Sequence, residues 1–157
     1  MSNITTIPFM CEIPEDKKKL LELKYTVYCD VTDENWAYMI VDNNNKKTIV
    51  KGQGDESTFK HTPDRLKLIA ILEAVQNIFD KLEEELKAHV NIEVYTDSVY
   101  CTNVLREWMY KWVDTDFDNK PNADLLPDAY ELMHEYKNNI NFKWYPTTCI
   151  QSLKIIG

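Results

Sequence analysis

Two aspartates, Asp30 and Asp97, each end a segment whose pattern predicts a β-strand. Residues 24–30 alternate between two faces and are rich in aromatic and β-branched side chains, and 90–97 has the composition of a buried strand. With a right-handed crossover the two strands lie side by side and parallel, so both carboxylates emerge at the carboxyl edge of the sheet. Open α/β sheets commonly bind ligands at that edge, so Asp30 and Asp97 are the first candidate site residues.

A long helix between these strands carries a third candidate, Lys67. Thr62 is a good N-cap for this helix, and Pro63 suits its first position. The residues that follow, as far as Leu82, place apolar side chains on one helical face. Asp64 precedes Lys67 by three residues, which is about one helical turn. The first turns of this helix therefore carry one amine and one further carboxylate.

The remaining segments complete an alternation of strands and helices. They are strands at 35–42, 47–54 and 139–146, helices at 98–113 and 123–136, and a short extended piece at 57–60. The order β-β-β-α-β-α-α-β, followed by a short tail, predicts an α/β fold. We expect a mixed five-stranded sheet, with three antiparallel strands and then parallel ones, and helices on both faces. A single domain is expected over 23–157, preceded by a lead-in at 1–22.

Composition narrows the classes of partner. The chain of 157 residues has a formal net charge of −8 and a pI of about 4.9, which disfavours strong non-specific binding to nucleic acid phosphates. No apolar run approaches the roughly 18 residues that span a bilayer, so no membrane partner is expected. The four cysteines form no CxxC pair. Reduced thiols in an intracellular protein, cytoplasmic or nuclear, are expected.

Several segments, in this order, resemble the ribonuclease H family over roughly 24–146. YTVYCD resembles the family's first strand with its first catalytic aspartate, and VYTDSVY resembles its fourth strand with the second. TPDRLKLIAILEA resembles the first helix, which normally opens Thr-Asn-Asn-Arg-x-Glu. LREWMYKW followed by KPNADL resembles the tryptophan-bearing helix and the Asn-x-Asp-Leu segment, and FKWYP resembles the last strand. The resemblance implies an RNase H-like fold.

The resemblance also implies phosphodiester hydrolysis with two Mg²⁺ ions about 4 Å apart. Four acids of the family hold these ions, because Mg²⁺ prefers oxygen ligands. Asp30 and Asp97 match the two strand acids, but Lys67 stands at the position of the helix glutamate. Four carboxylates offer about −4 to the ions, whereas Asp30, Asp97 and Lys67 together offer about −1. Lys67 is instead expected to pair with one of the two aspartates and to fill the place of a metal.

The fourth acid of the family, on a final helix, has no counterpart in TTCIQSLKIIG. This absence has two explanations, namely loss of the acid or a final helix that continues in a longer protein. Asp97 has a second interpretation too, because Asp97 and Ser98 open a helix and an aspartate there can serve as its N-cap.

Residues that read the substrate in the family are also changed. Asp30-Val31-Thr32 replaces Asp-Gly-Ser, Pro63-Asp64 replaces an asparagine pair, VDTDFDNK replaces a basic protrusion, and TTC replaces a Gly-His loop. The tryptophans could stack on bases or could simply complete the core and its rim. The positions that keep a candidate nucleic-acid contact are Thr62, Arg65, Trp108 and Trp112.

Three functions stay open at this point. The first, favoured by Lys67, is a degenerate RNase H-like domain without catalysis and without a metal cofactor, which serves as a scaffold for an unknown protein partner. The second is a divergent Mg²⁺- or Mn²⁺-dependent nuclease that cleaves RNA in RNA/DNA hybrids with Asp30, Asp97 and Asp64 as metal ligands. The third is a non-catalytic nucleic-acid binder, against which the net charge counts.

Overall fold

A computed structural model describes residues 23–54 and 60–156. The lead-in predicted at 1–22, and all but the last residue of the extended piece predicted at 57–60, lie outside the described residues. Within them, no helix combines the length and the apolar composition that crossing a membrane requires.

The sheet has five strands in the spatial order β3-β2-β1-β4-β5. Their bounds are β1 Lys24–Thr32, β2 Asn35–Val41, β3 Lys47–Gln53, β4 Asn91–Thr96 and β5 Ile140–Trp144. The first three strands pair antiparallel, and β4 lies parallel to both β1 and β5. This arrangement confirms the predicted fold class, and it places the two strands that carry the aspartates side by side.

The helices differ from the sequence prediction in three places. They are α1 Pro63–Asp80, α2 Val99–Asn103, α3 Met109–Trp112, α4 Leu126–Met133 and α5 Thr147–Ser152, with 3-10 segments at Glu84–His89, Val113–Thr115 and His134–Asn139. A π-helical turn at Val104–Trp108 divides the helix predicted over 98–113. The helix predicted at 123–136 begins later, at Leu126, and the predicted tail contains α5.

The hydrophobic core lies mainly between α1 and one face of the sheet. Helix α1 buries Leu66 and Ile78 of its predicted apolar face, and it also buries Ile71, which was not assigned to that face. On the opposite face a smaller cluster packs Ile155, which follows α5, against Met39 of β2. Helices therefore lie on both faces of the sheet, and α5 is held against β1.

An ion pair between a buried arginine and a partly exposed aspartate connects α1 to the loop before α4. The side chain of Arg65 is 0 % exposed, and its Nη1 and Nη2 atoms donate to the two carboxylate oxygens of Asp124 at 2.8 and 2.7 Å. Nη1 also donates to Asn122 Oδ1 at 3.2 Å. A guanidinium that is removed from water depends on such bidentate partners, so this contact fixes the start of α1.

Replacing the carboxylate of this pair is expected to destabilise the fold. Asp124→Asn removes this carboxylate charge from the buried guanidinium, which we expect to lower the free energy of unfolding by about 2 kcal/mol in urea denaturation. Glu107→Gln is the control, because the Glu107–Lys111 pair is mostly exposed and its loss should change the stability much less. Equal losses in the two variants would contradict a structural role for the Arg65–Asp124 pair.

Candidate functional site

The two strand aspartates meet at the carboxyl edge of the sheet, as their strands predict. Asp30 lies near the end of β1 and Asp97 directly follows β4, and the parallel register pairs Tyr28 with Tyr95 just before them. Asp30 is 9 % exposed, and the side chain of Asp97 is 7 % exposed. Two carboxylates are thus withdrawn from water at the edge where α/β sheets commonly bind ligands.

The amine of Lys67 forms an ion pair with Asp97. Lys67 Nζ lies 2.7 Å from Asp97 Oδ1, and the Lys67 side chain is 14 % exposed. The second oxygen, Oδ2, accepts a hydrogen bond of 2.6 Å from the hydroxyl of Thr147, the first residue of α5. Both carboxylate oxygens of Asp97 are therefore engaged by groups of the protein itself.

The environment shifts the pKa values of this pair in opposite directions. Burial alone would raise the pKa of Asp97, but the hydrogen bonds from Lys67 and Thr147 and the attraction of the ammonium hold it below its usual value. Burial would likewise lower the pKa of Lys67, and the contact with Asp97 outweighs it and raises the pKa. The pair is thus charged on both sides at neutral pH.

Asp30 responds differently from Asp97, although the two are neighbours. Burial raises the pKa of Asp30, and the negative charge of Asp97 adds to the rise. A hydrogen bond of 2.8 Å from the Val31 backbone N–H to Asp30 Oδ1 and the charge of Lys67 oppose it. Of the two strand aspartates, Asp30 is therefore the one whose negative charge is stabilised less by its surroundings.

The third predicted carboxylate, Asp64, also lies near the site. Ser98 Oγ donates to Asp64 Oδ1 at 2.7 Å, which joins α1 to the residue after Asp97. The same Ser98 Oγ accepts from the Cys101 backbone N–H at 3.0 Å. Ser98, and not Asp97, is thus the N-cap of α2, which corrects the alternative interpretation of Asp97 as a cap.

These donors do not fit a pair of divalent cations. In the described part of the chain, no three His, Cys, Asp or Glu residues are grouped so as to hold a metal ion. Lys67 places a positive charge directly on the carboxylate of Asp97, one of the two strand acids. At about 4 Å and a partly buried effective dielectric, each such contact costs a cation about 4 kcal/mol.

The four candidate nucleic-acid contacts have separate places in the structure. The Thr62 hydroxyl oxygen accepts from the Arg65 N–H at 3.2 Å and caps α1, as predicted from its type. Trp108 and Trp112 are half-buried and pack on each other with ring centroids 5.5 Å apart. Arg65 is fully buried against Asp124, so the prediction that it contacts nucleic acid is wrong, because its guanidinium cannot reach a ligand.

Two contacts of the site were not predicted from the sequence. Thr147 was assigned to a tail, and the structure makes it the first residue of α5 and places its hydroxyl on Asp97. The Trp144 indole N–H donates to the Asp97 backbone oxygen at 3.2 Å, and 56 % of Trp144 stays exposed. The two contacts join residues 47 and 50 positions apart in the chain, so no local sequence pattern could have predicted them.

Comparison with known proteins gives a consistent answer over most of the chain. The family profile for RNase H matches residues 22–147. A ribonuclease H of Ehrlichia chaffeensis is 35 % identical over 114 residues, which cover 70 % of this chain and 67 % of that protein. A ribonuclease H of Rickettsia massiliae is 29 % identical over 114 residues. The match covers 69 % of this chain but only 65 % of the length of that protein.

Solved structures support the fold alone, because their sequence identities are low. LC9-RNase H1, a type 1 RNase H with the type 2 active-site motif, has a TM-score of 0.57 and 17 % identity over 87 % of this chain and 66 % of that one. The protease-reverse transcriptase of prototype foamy virus has a TM-score of 0.55 and 13 % identity over 79 % of this chain and 17 % of that one. With the profile match, the order of the sheet and the paired strand aspartates, these relationships show that the chain belongs to the ribonuclease H family.

Proposed function

We propose that this chain is a degenerate RNase H-like domain that does not cleave nucleic acid and serves as a protein-binding or scaffold element. The observation that carries the proposal is the 2.7 Å contact between Lys67 Nζ and Asp97 Oδ1. The ammonium neutralises one of the two strand carboxylates and stands where the family has a glutamate. The site therefore provides a self-contained ion pair in place of a set of anionic ligands.

Hydrogen bonding around Asp97 supports the same proposal. Thr147 donates to Oδ2 of Asp97, the carboxylate oxygen that Lys67 does not contact, so a cation would have to displace two protein groups to reach this carboxylate. Asp64 is engaged by Ser98. The rearrangement would also separate an ion pair that is largely withdrawn from water, which is costly unless both charges find new partners.

A divergent metal-dependent nuclease is the second candidate. Asp64 supports it, because its contact with Ser98 holds a third carboxylate beside Asp97. The relatives are named ribonuclease H, and the chain spans about two thirds of their length. In this alternative Lys67 would have to turn away before Asp30, Asp64 and Asp97 could bind Mg²⁺ or Mn²⁺. A non-catalytic nucleic-acid binder is the third, and the net charge of −8 counts against it.

The proposal predicts no cleavage of an RNA/DNA hybrid. Full-length chain and a 5′-labelled hybrid are incubated with Mg²⁺ or Mn²⁺, with the Rickettsia massiliae ribonuclease H as the positive control and Asp97→Asn as the matched negative one. We expect the wild-type chain to match Asp97→Asn, because the ion pair leaves too little negative charge to hold the metal. Metal-dependent cleavage by the wild type that Asp97→Asn abolishes would instead support the nuclease.

Charge reversal at Lys67 is expected to create metal affinity. In Lys67→Glu the site loses an ammonium and gains a carboxylate, so we expect Mn²⁺ affinity, measured by isothermal titration calorimetry, to rise at least tenfold. Lys67→Met separates the two contributions, because it removes the positive charge without adding a ligand. Mn²⁺ binding by the wild type as tight as that by Lys67→Glu would show that the ammonium does not exclude the ion.

The ion pair also predicts how stability depends on pH. The pKa of Asp97 is depressed on folding, so its stabilisation is complete above the unfolded value of about 3.9 and is lost as pH falls through the lower folded pKa. The raised pKa of Lys67 gives stabilisation that is complete below about 10.4 and is lost as pH rises through the folded pKa.

The difference in free energy of unfolding between wild type and Lys67→Met should therefore be constant over the pH range in which Asp97 is ionised in both proteins and Lys67 is protonated. We expect it to shrink as pH falls, because burial without the ammonium raises the pKa of Asp97 in Lys67→Met, so that this carboxyl takes up its proton before the wild-type one does. Urea denaturation across this range measures the difference. A difference that stays unchanged down to pH 2 would mean that Lys67 stabilises the fold through packing of its aliphatic stem.

A further inference from the structure

A groove remote from the Lys67–Asp97 pair lies between α1, the 3-10 segment Glu84–His89 and α4. It encloses about 570 Å³. Its floor is apolar and includes Leu72, Leu125 and Leu132, which are half-buried and pack on the core with part of their surface still open. Apolar surface that stays open in a concavity between helices is a feature of docking sites for partner segments.

The rim of this groove is strongly negative. Five carboxylates line it, namely Glu73, Glu84, Asp128, Glu131 and Glu135. Among the described lining residues Lys87 is the one cation, so the rim carries about −4 from five negative charges and one positive charge. We call this concavity, with its apolar floor and these five acids, the acidic groove.

One end of the acidic groove is already organised by contacts within the chain. Tyr136 donates to Glu84 Oε2 at 2.7 Å, and Lys87 Nζ lies 3.2 Å from Glu84 Oε1. The hydrogen bond from Tyr136, together with Lys87, lowers the pKa of Glu84, so this carboxylate stays ionised. The single cation of the rim is thus committed to Glu84, and the negative charge elsewhere along the groove is not offset by it.

We propose that the acidic groove binds a basic amphipathic helix of a partner protein. Leucine-sized side chains at helical spacing would enter the apolar floor, and lysines or arginines on the flanks would meet the carboxylates of the rim. Charge complementarity selects this occupant, because phosphate-bearing nucleic acid would be repelled by the same rim. The proposal relies on the protein-binding role above only for the class of partner, because the acidic groove shares no residue with the Lys67 site.

The test uses the full chain and a fluorescein-labelled 18-residue helical peptide of lysine and leucine, with leucines at i, i+3, i+4 and i+7. Fluorescence anisotropy at two salt concentrations measures binding, beside a scrambled peptide of the same composition. Glu73→Lys/Glu131→Lys reverses two charges of the acidic groove. Asp114→Lys/Asp118→Lys is the matched control, with the same change in net charge at exposed residues that do not line it.

We expect saturable binding of the periodic peptide, at least tenfold weaker for Glu73→Lys/Glu131→Lys and changed less than threefold for the control. Leu132→Gln, which alters the floor and leaves the charges intact, should also weaken binding. Equal loss in both double variants, or equal binding of the scrambled peptide, would reduce the effect to net charge and overturn the proposal. A wild-type dimer in sedimentation that Glu73→Lys/Glu131→Lys makes monomeric would assign the acidic groove to a second copy and overturn it too.

Failure of this proposal and failure of the proposed function can be told apart. Lys67→Glu changes the candidate site and leaves the acidic groove intact, so peptide binding should be the same as for the wild type. If the chain cleaves the hybrid and also binds the peptide, the proposed loss of catalysis is wrong and the proposed docking site stands. If the chain neither cleaves the hybrid nor binds the peptide, the proposed degenerate site stands and the proposed helical partner is wrong.

Discussion

The contact between Lys67 and Asp97 determines the charge of the site at the carboxyl edge of the sheet. A lysine on the first long helix reaches the carboxyl edge of the sheet, where the family places acids. Because the pair is largely shielded from water, each charge depends on the other, and Thr147 completes the coordination of the carboxylate. The charge of Asp97 is therefore offset by the protein itself, in contrast to a set of carboxylates, which needs cations to offset its repulsion.

The architecture around this site is maintained by other interactions. The core between α1 and the sheet and the Arg65–Asp124 pair involve neither Lys67 nor Asp97. A family member can therefore keep the sheet, its strand order and its helices while the chemistry of the edge changes. Asp30 keeps a buried carboxylate of raised pKa at this edge, with the Val31 N–H as a local donor, which is consistent with an acid inherited from a site of higher negative charge.

Local sequence patterns were sufficient for the parts of the structure that repeat at short range. The alternation in 24–30 and the apolar run at 90–97 predicted two strands, and their parallel pairing followed from the handedness of crossovers. The resemblance to the family's first helix then placed Lys67 beside the aspartates, where the structure has it. The contact of Thr147 with Asp97 was beyond such reasoning, because it joins residues 50 positions apart through the packing of α5.

Arg65 shows a second limit. Arg65 was a candidate nucleic-acid contact in the segment that resembles the family's first helix, whereas its side chain is buried and its partner Asp124 lies 59 residues away along the chain. The π-helical turn at Val104–Trp108 was also missed, because five residues are too few for their apolar spacing to separate a π turn from an α-helix. In each case a long-range or subtle packing term decided the outcome.

The most direct test of the central claim is a crystal structure of the wild-type chain grown in millimolar Mn²⁺ near neutral pH, with anomalous scattering used to locate the metal. The account predicts Lys67 Nζ within hydrogen-bonding distance of Asp97 and no anomalous peak on either strand aspartate. A pair of Mn²⁺ peaks at Asp30 and Asp97, with the Lys67 side chain turned away, would contradict it.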